Sequence, residues 1–93
     1  MKIFISGKIT GDPNYREKFN KVEKRLKEEG YIVLNPAMLP DGFKYEDYMN
    51  ICFAMLMACE AIYLLKDHME SPGSGREKMM AGVWCKQIIM EDE

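Results

Sequence analysis

The sequence predicts an α/β protein: a small three-layer sandwich of the flavodoxin or Rossmann-like kind, with a parallel sheet of about four strands and three helices. Three observations carry this. Short β-branched or apolar runs alternate with stretches of helical periodicity along the chain, in the order βαβαβαβ. Each of the first three runs stops on polar or turn residues before a helical pattern begins. No repeat, linker or low-complexity stretch interrupts the alternation, so 1–93 is one domain. Such an order implies right-handed crossovers, with helices on both faces of the sheet.

The elements follow in sequence. Lys2 to Ile5 is the first strand, ending in the two-glycine loop Ser6-Gly7-Lys8-Ile9-Thr10-Gly11. Asp12-Pro13 supplies an N-cap and a proline at the first helical position. Tyr15, Phe19, Val22 and Leu26 make the apolar stripe of the first helix, with Glu17, Lys18, Lys21, Glu23 and Lys24 on its solvated face. Gly30 stops that helix. Tyr31 to Leu34 is the second strand, closed by Asn35-Pro36, and the segment Ala37 to Lys44 is a loop punctuated by Pro40 and Gly42. A helix from about Tyr45 puts Tyr48, Ile51, Cys52, Met55, Leu56 and Cys59 on one face and Met49, Phe53 and Met57 on another. Ala61 to Leu65 is the third strand. A helix from about Ser74 to Cys85 has Met79, Met80, Val83 and Trp84 as its apolar set. Gln87 to Met90 is a short fourth strand, and Glu91-Asp92-Glu93 is a solvated acidic end.

Composition excludes several classes. A net charge of −2 gives no electrostatic reason to expect nucleic-acid binding. No apolar run approaches the ~18 residues of a membrane span. The N-terminal apolar segment is too short for a signal peptide. The three cysteines, Cys52, Cys59 and Cys85, sit in apolar patterns and are odd in number. They are expected to be buried thiols in a reducing compartment, which makes the protein cytoplasmic. With one histidine, His68, no metal-ligand spacing exists, and neither metal nor cofactor is expected.

The chemistry is concentrated where the third strand meets the third helix, in Lys66-Asp67-His68-Met69-Glu70-Ser71-Pro72-Gly73-Ser74-Gly75-Arg76-Glu77. Ligands bind in open parallel sheets where strands end and helices begin. Ser71, Gly73, Ser74 and Gly75 would place backbone N–H groups at a helix start, where anions are favoured. Glu77 has two readings: a carboxylate facing a bound sugar, kept ionised by the helix dipole, or an ordinary helix-start glutamate. The first loop lacks the glycine spacing of a P-loop and of a dinucleotide-binding turn. Its glycines either let backbone approach a ligand or simply make a strand-to-helix turn.

Phe4-Ile5-Ser6-Gly7-Lys8-Ile9-Thr10-Gly11 resembles the opening loop of the nucleoside 2-deoxyribosyltransferase superfamily. Asn35-Pro36 is similar to the end of that superfamily's second strand. Ser71 through Glu77 resembles the loop leading to its nucleophilic glutamate. The pattern, over nearly the whole chain, is nearest the small, often phage-borne branch known as a domain of unknown function (DUF4406-like). The resemblance implies cleavage of an N-glycosidic bond in nucleosides or deoxynucleoside 5′-monophosphates. Glu77 would be the nucleophile and Ser71 the serine that holds a 5′-phosphate. Phe4, Ser6, Gly7, Lys8, Ile9 and Asn35, with Gly73, Ser74 and Gly75, would bind substrate.

The chain also departs from that pattern. Superfamily enzymes carry an aspartate on the second helix, eight residues before the acidic residue that opens the third strand. Glu60 opens that strand, and position 52 is Cys. The first-strand tyrosine is Phe4, and the glycine two residues after the glutamate is Met79. Asp67 is the local substitute for a general acid, or else a loop aspartate binding backbone N–H groups. His68 would bind phosphate, donate a proton, or do neither. Three functions fit these residues: an N-glycosidic-bond enzyme, a nucleotide-binding protein that has lost the chemistry, or a partner-binding module built on the Met-rich helix. A homo-oligomer through Met49, Phe53 and Met57 is expected, because a 93-residue domain has few layers in which to hide a second stripe.

Overall fold

In the computed structural model, residues 1–91 are described. Four strands, β1 (Lys2–Ser6), β2 (Ile32–Leu34), β3 (Ala61–Leu64) and β4 (Gln87–Met90), alternate with three helices. These are α1 (Tyr15–Glu28), α2 (Tyr45–Met57) and α3 (Pro72–Val83). All pairings are parallel and the strand order is β2-β1-β3-β4. Ile3, Ile5, Ala61, Tyr63 and Leu65 face α1, with Phe19, Val22 and Leu26 packed against them. Phe4, Ile62 and Leu64 face the other way, toward Cys52, Leu56, Cys59 and Ala81 of the α2 and α3 layer. The first crossover steps one way along the sheet over one face. The other two step the opposite way over the opposite face, so all three share one hand, the right-handed one required of parallel units. This is the predicted α/β sandwich. Burial on both faces explains why β1 and β3 read as continuous apolar runs instead of alternating ones.

Several local expectations change. The first helix starts two residues after Pro13, because Asp12 caps a turn: its carboxylate accepts from the Asn14 N–H at 2.9 Å. Lys18 is not on a solvated face. Its ammonium reaches the Lys8 carbonyl at 2.9 Å, Asp12 at 2.7 Å and the Asp67 carboxylate. The third helix begins at Pro72, so what read as a glycine-rich loop is largely the first turn of α3. Ser71 is the N-cap and accepts from the Ser74 N–H at 3.1 Å. The buried stripe of α3 is Ser74, Glu77 and Ala81, whereas Met79 and Val83 are exposed. Cys52 and Cys59 are buried, but Cys85 is exposed, at φ 57 in the turn before β4.

The second stripe of α2 is not the open face that the spacing implied. Met49 is buried against the site described below. Phe53 stacks edge-on against Trp84 at 6.4 Å and lies under the Arg76 guanidinium at 5.5 Å. Met57 alone of the three is exposed. Two sides of α2 have partners within the chain: the helix packs on the sheet and, side by side with it, on α3. The Lys86 ammonium closes its C-terminal end, donating to the Met57 carbonyl at 3.0 Å. At the acidic end, Glu91 is half-buried and accepts from the Lys66 N–H at 2.9 Å, while Asp92 and Glu93 lie outside the described residues. Among the described residues no helix is long and apolar enough to cross a membrane.

Candidate functional site

The chain leaves β1 for β2 on one side, then crosses back over it to β3. The carboxyl ends of β1 and β3 therefore form a topological switch point, where the loops above the sheet diverge and leave a crevice. A cavity of about 170 Å³ lies there. Ser6 and Gly7 form its base, at the end of β1. Ile9, Thr10 and Tyr15 come from the loop into α1 and its first turn, and Pro36 and Leu39 from the segment after β2. Tyr45, Tyr48, Met49 and Cys52 line it from α2, and Ser71, Gly73, Ser74 and Glu77 from α3.

Two glycines shape the cavity. A Cβ on Gly7 would stand 2.6 Å from the Leu65 side chain, so the β1 loop can turn tightly over β3 only without a side chain. A Cβ on Gly73 would meet the Met49 sulfur at 3.2 Å and the Tyr45 hydroxyl at 3.5 Å, narrowing the space between α2 and α3.

Glu77 is 7% exposed and is the single carboxylate among the described residues of the wall, which includes neither Lys nor Arg. The Ser6 hydroxyl donates to its Oε1 at 2.6 Å. Ser6 and Ser74, both fully buried, are 2.5 Å apart. Since Ser6 spends its proton on Glu77, Ser74 is the donor to Ser6, and a two-hydroxyl chain ends on the carboxylate. The Cys52 thiol donates to the same group. Burial pushes the Glu77 carboxyl up to about 7, against the opposing pull of Ser6, Cys52 and the Arg76 charge. This corrects the expectation that the helix dipole keeps the carboxylate ionised. Glu77 lies beyond the first turn of α3, where the dipole fades, and desolvation wins. Burial, reinforced by Glu77, raises the Cys52 thiol to about 12, so Cys52 serves as a neutral donor.

The substrate-binding residues expected from the sequence divide. Ser6, Gly7, Ile9, Ser71, Gly73 and Ser74 line the cavity with Glu77. Phe4 does not: it is wholly buried beneath the α2 and α3 layer. Lys8 turns outward, its ammonium 3.4 Å from Glu70. Asn35 is buried on the α1 side, accepting from the Ala37 N–H and donating to Asn20 and Glu23. It shapes the turn that presents Pro36 and Leu39. Gly75 is exposed on α3, outside the wall. Asp67, the expected acid, also stands outside the wall. It accepts from the Lys8 N–H at 3.0 Å and pairs with Lys18, which is the loop-aspartate reading. His68 is buried outside the wall too, with Nδ1 donating to the Leu65 carbonyl at 2.8 Å and Nε2 without a partner. Among the described residues no three His, Cys, Asp or Glu side chains converge as metal ligands would.

Sequence reasoning missed Thr10, Tyr15, Pro36, Leu39, Tyr45, Tyr48, Met49 and Cys52 as wall residues. The signal for the tyrosines was present: Tyr15, Tyr45 and Tyr48 all fall in the first turn after a strand-to-helix loop. Tyr15 and Tyr48 also fit the apolar stripes of their helices, which masks their place in the wall.

Fold and cavity together define a flavodoxin-order α/β domain with one buried carboxylate at its switch point. The chain belongs to the family described as Domain of unknown function (DUF4406), whose sequence pattern matches residues 1–90. No curated protein matches it. Among solved structures it is similar to a 2-desoxiribosyltransferase from Leishmania mexicana, with a TM-score of 0.76 and 21% identity over 96% of this chain. That likeness establishes a deoxyribosyltransferase-like fold, and this chain spans 62% of the other protein's length.

Proposed function

We propose that the protein cleaves the N-glycosidic bond of a nucleoside or nucleotide, with Glu77 as the nucleophile. One observation carries this reading. A buried carboxylate, held by Ser6 and Cys52, faces a cavity of small-molecule type at the switch point of the sheet. The likeness to a 2-desoxiribosyltransferase supports it as a fold-level analogy. Once ionised, Glu77 attacks the anomeric carbon, the base departs, and a glycosyl ester forms on the carboxylate. Water then hydrolyses the ester; a second base in its place would give transfer. The N-terminus of α3, with Ser71 and Gly73 at the cavity, is oriented to receive a 5′-phosphate through backbone N–H groups.

The test is base release from a panel of nucleosides and their 5′-monophosphates, followed by chromatography. Glu77→Gln should abolish release while leaving ligand binding. A second reading is favoured by a specific observation: Cys52 stands where the superfamily has an acid, and Asp67 is committed to Lys18. In that reading the cavity binds a nucleotide without turnover. Saturable binding with no base released from any substrate would decide for it.

A further inference from the structure

We propose that Tyr45 is the general acid of the site, its phenol giving a proton to the departing base. This rests on the reading of Glu77 as nucleophile and names the second group that reaction needs. A neutral base leaves the anomeric carbon as an anion unless an acid protonates it while the bond breaks.

The wall holds several protons, and hydrogen bonding decides which of them is free. The Cys52 thiol, raised to about 12, donates to Glu77. The Ser74 and Ser6 hydroxyls form a chain that ends on the same carboxylate. The Tyr48 hydroxyl donates to the Pro40 carbonyl at 2.7 Å, and the Tyr15 hydroxyl reaches the Asp41 carboxylate at 3.5 Å. Tyr45 differs in kind. Its partner is the Arg76 guanidinium, which has N–H donors and no acceptor. The Tyr45 oxygen therefore accepts, and its own proton is unspent. Thr10 and Ser71 also stand in the wall, but an aliphatic hydroxyl is a far weaker acid than a phenol.

Position fits the task. Tyr45 and Glu77 line the same cavity from neighbouring helices. The Tyr45 hydroxyl lies where it would stand 3.5 Å from a Cβ on Gly73. Gly73 and Glu77 share the cavity face of α3, one helical turn or ~5.4 Å apart along its axis. The phenol thus looks onto α3 about one turn from the nucleophile. Retaining glycosidases set their nucleophile and acid on a similar scale, about 5–5.5 Å apart. Arg76 completes the arrangement. Glu46 holds its guanidinium at 3.1 Å, and its charge stands beside the phenol oxygen, where negative charge develops as the proton leaves.

The step balances. A Glu77 oxygen bonds to C1′ as the C1′–N bond breaks, the electron pair passes to the base, and a ring nitrogen takes the Tyr45 proton. The phenolate then takes a proton from the water that attacks C1′, and the Glu77 carboxylate is released. Both groups return to their starting forms, and one water is consumed.

The experiment compares the full chain with Tyr45→Phe, which keeps the ring and removes the proton, on nucleosides that differ in the leaving base. These are adenosine, 6-chloropurine riboside and 7-methylguanosine, each also as its 2′-deoxy form and its 5′-monophosphate. Adenine needs a proton to leave, the electron-poor 6-chloropurine needs one less, and the cationic 7-methylguanine leaves as a neutral molecule. Tyr45→Phe should lose about 100-fold or more in kcat/KM on adenosine, less on 6-chloropurine riboside, and under about threefold on 7-methylguanosine. The gradient between the first two bases is diagnostic by itself. The Tm should stay near that of wild type, since Tyr45 is 49% exposed. A loss of equal size on every base, or no loss, would overturn this inference and leave the N-glycosidase reading standing. A loss confined to the monophosphates would also overturn it, assigning the phenol to the 5′-phosphate. Absence of base release by wild type from any substrate would overturn both.

Discussion

Glu77 is pulled in two directions. Burial favours its neutral form, while the Ser6 hydroxyl, the Cys52 thiol and the Arg76 charge favour the carboxylate. Burial prevails and the group titrates near 7, above its ordinary 4.5. A carboxyl raised on folding binds more protons in the native state between those two values. Its contribution to stability is therefore lost as pH rises from about 4.5 through about 7. Glu77→Gln should thus be neutral at pH 4.5 and stabilising at pH 8, by about 2–4 kcal/mol. Thermal denaturation at the two pH values checks this, and equal shifts would contradict the burial argument. Ser6→Ala removes the donor at 2.6 Å and should move the activity profile further toward alkaline pH. An unmoved profile would mean that the hydroxyl chain does not set the charge of Glu77.

At the scale of elements, two loops at the site are tied together by one side chain. Burial works against the Lys18 ammonium, but its bonds to Asp12 and Asp67 outweigh that and hold it above its ordinary value. Bonding to Lys18 likewise holds Asp12 below the usual carboxylate range. Lys18 also takes the Lys8 carbonyl, so the β1 loop, the start of α1 and the segment after β3 meet at one point. Lys18→Met would leave two partly buried carboxylates without a counter-charge. It should cost about 2 kcal/mol, seen as a lower Tm, whereas Asp67→Asn, which keeps an acceptor for the Lys8 N–H, should cost less. The N-cap of α3 gives a second test. Ser71→Ala should cost about 1 kcal/mol and, if the helix start holds a 5′-phosphate, should shrink the extra Tm shift of monophosphates over nucleosides.

At the scale of the molecule, packing leaves little slack where the layers meet. The Gly7 position has no room for a methyl group beside Leu65, so Gly7→Ala should lower stability by about 1–3 kcal/mol. In a domain of this size that corresponds to several degrees in Tm, and an unchanged Tm would show that the loop relaxes freely. Phe53 is the other test of packing. Its contacts with Trp84 and Arg76 join α2 to α3, so Phe53→Glu should act first on Tm, with sedimentation showing the same mass as wild type. A fall in mass with Tm intact would restore the stripe as an interface between copies.

The sequence by itself determined the order of elements and the parallel sheet. These depend on local rules: β-branched runs, helical spacing, and turn residues at fixed offsets. Four residues apart, Phe19 and Tyr15 already told which side of α1 faces inward. Boundaries at prolines were less legible, since Pro72 opens a helix while Pro13 precedes one by two residues. Only the tertiary structure decided what distant residues do to one another. Lys18 and Asp67 are 49 positions apart, and nothing local marks them as a pair. Ser6 and Glu77, separated by 71, meet because the crossovers bring the ends of β1 and α3 to one crevice. The charge state of Glu77 was set the same way: Ser6, Cys52 and Arg76 favour an ionised carboxylate, and burial by the layers around it opposes them more strongly.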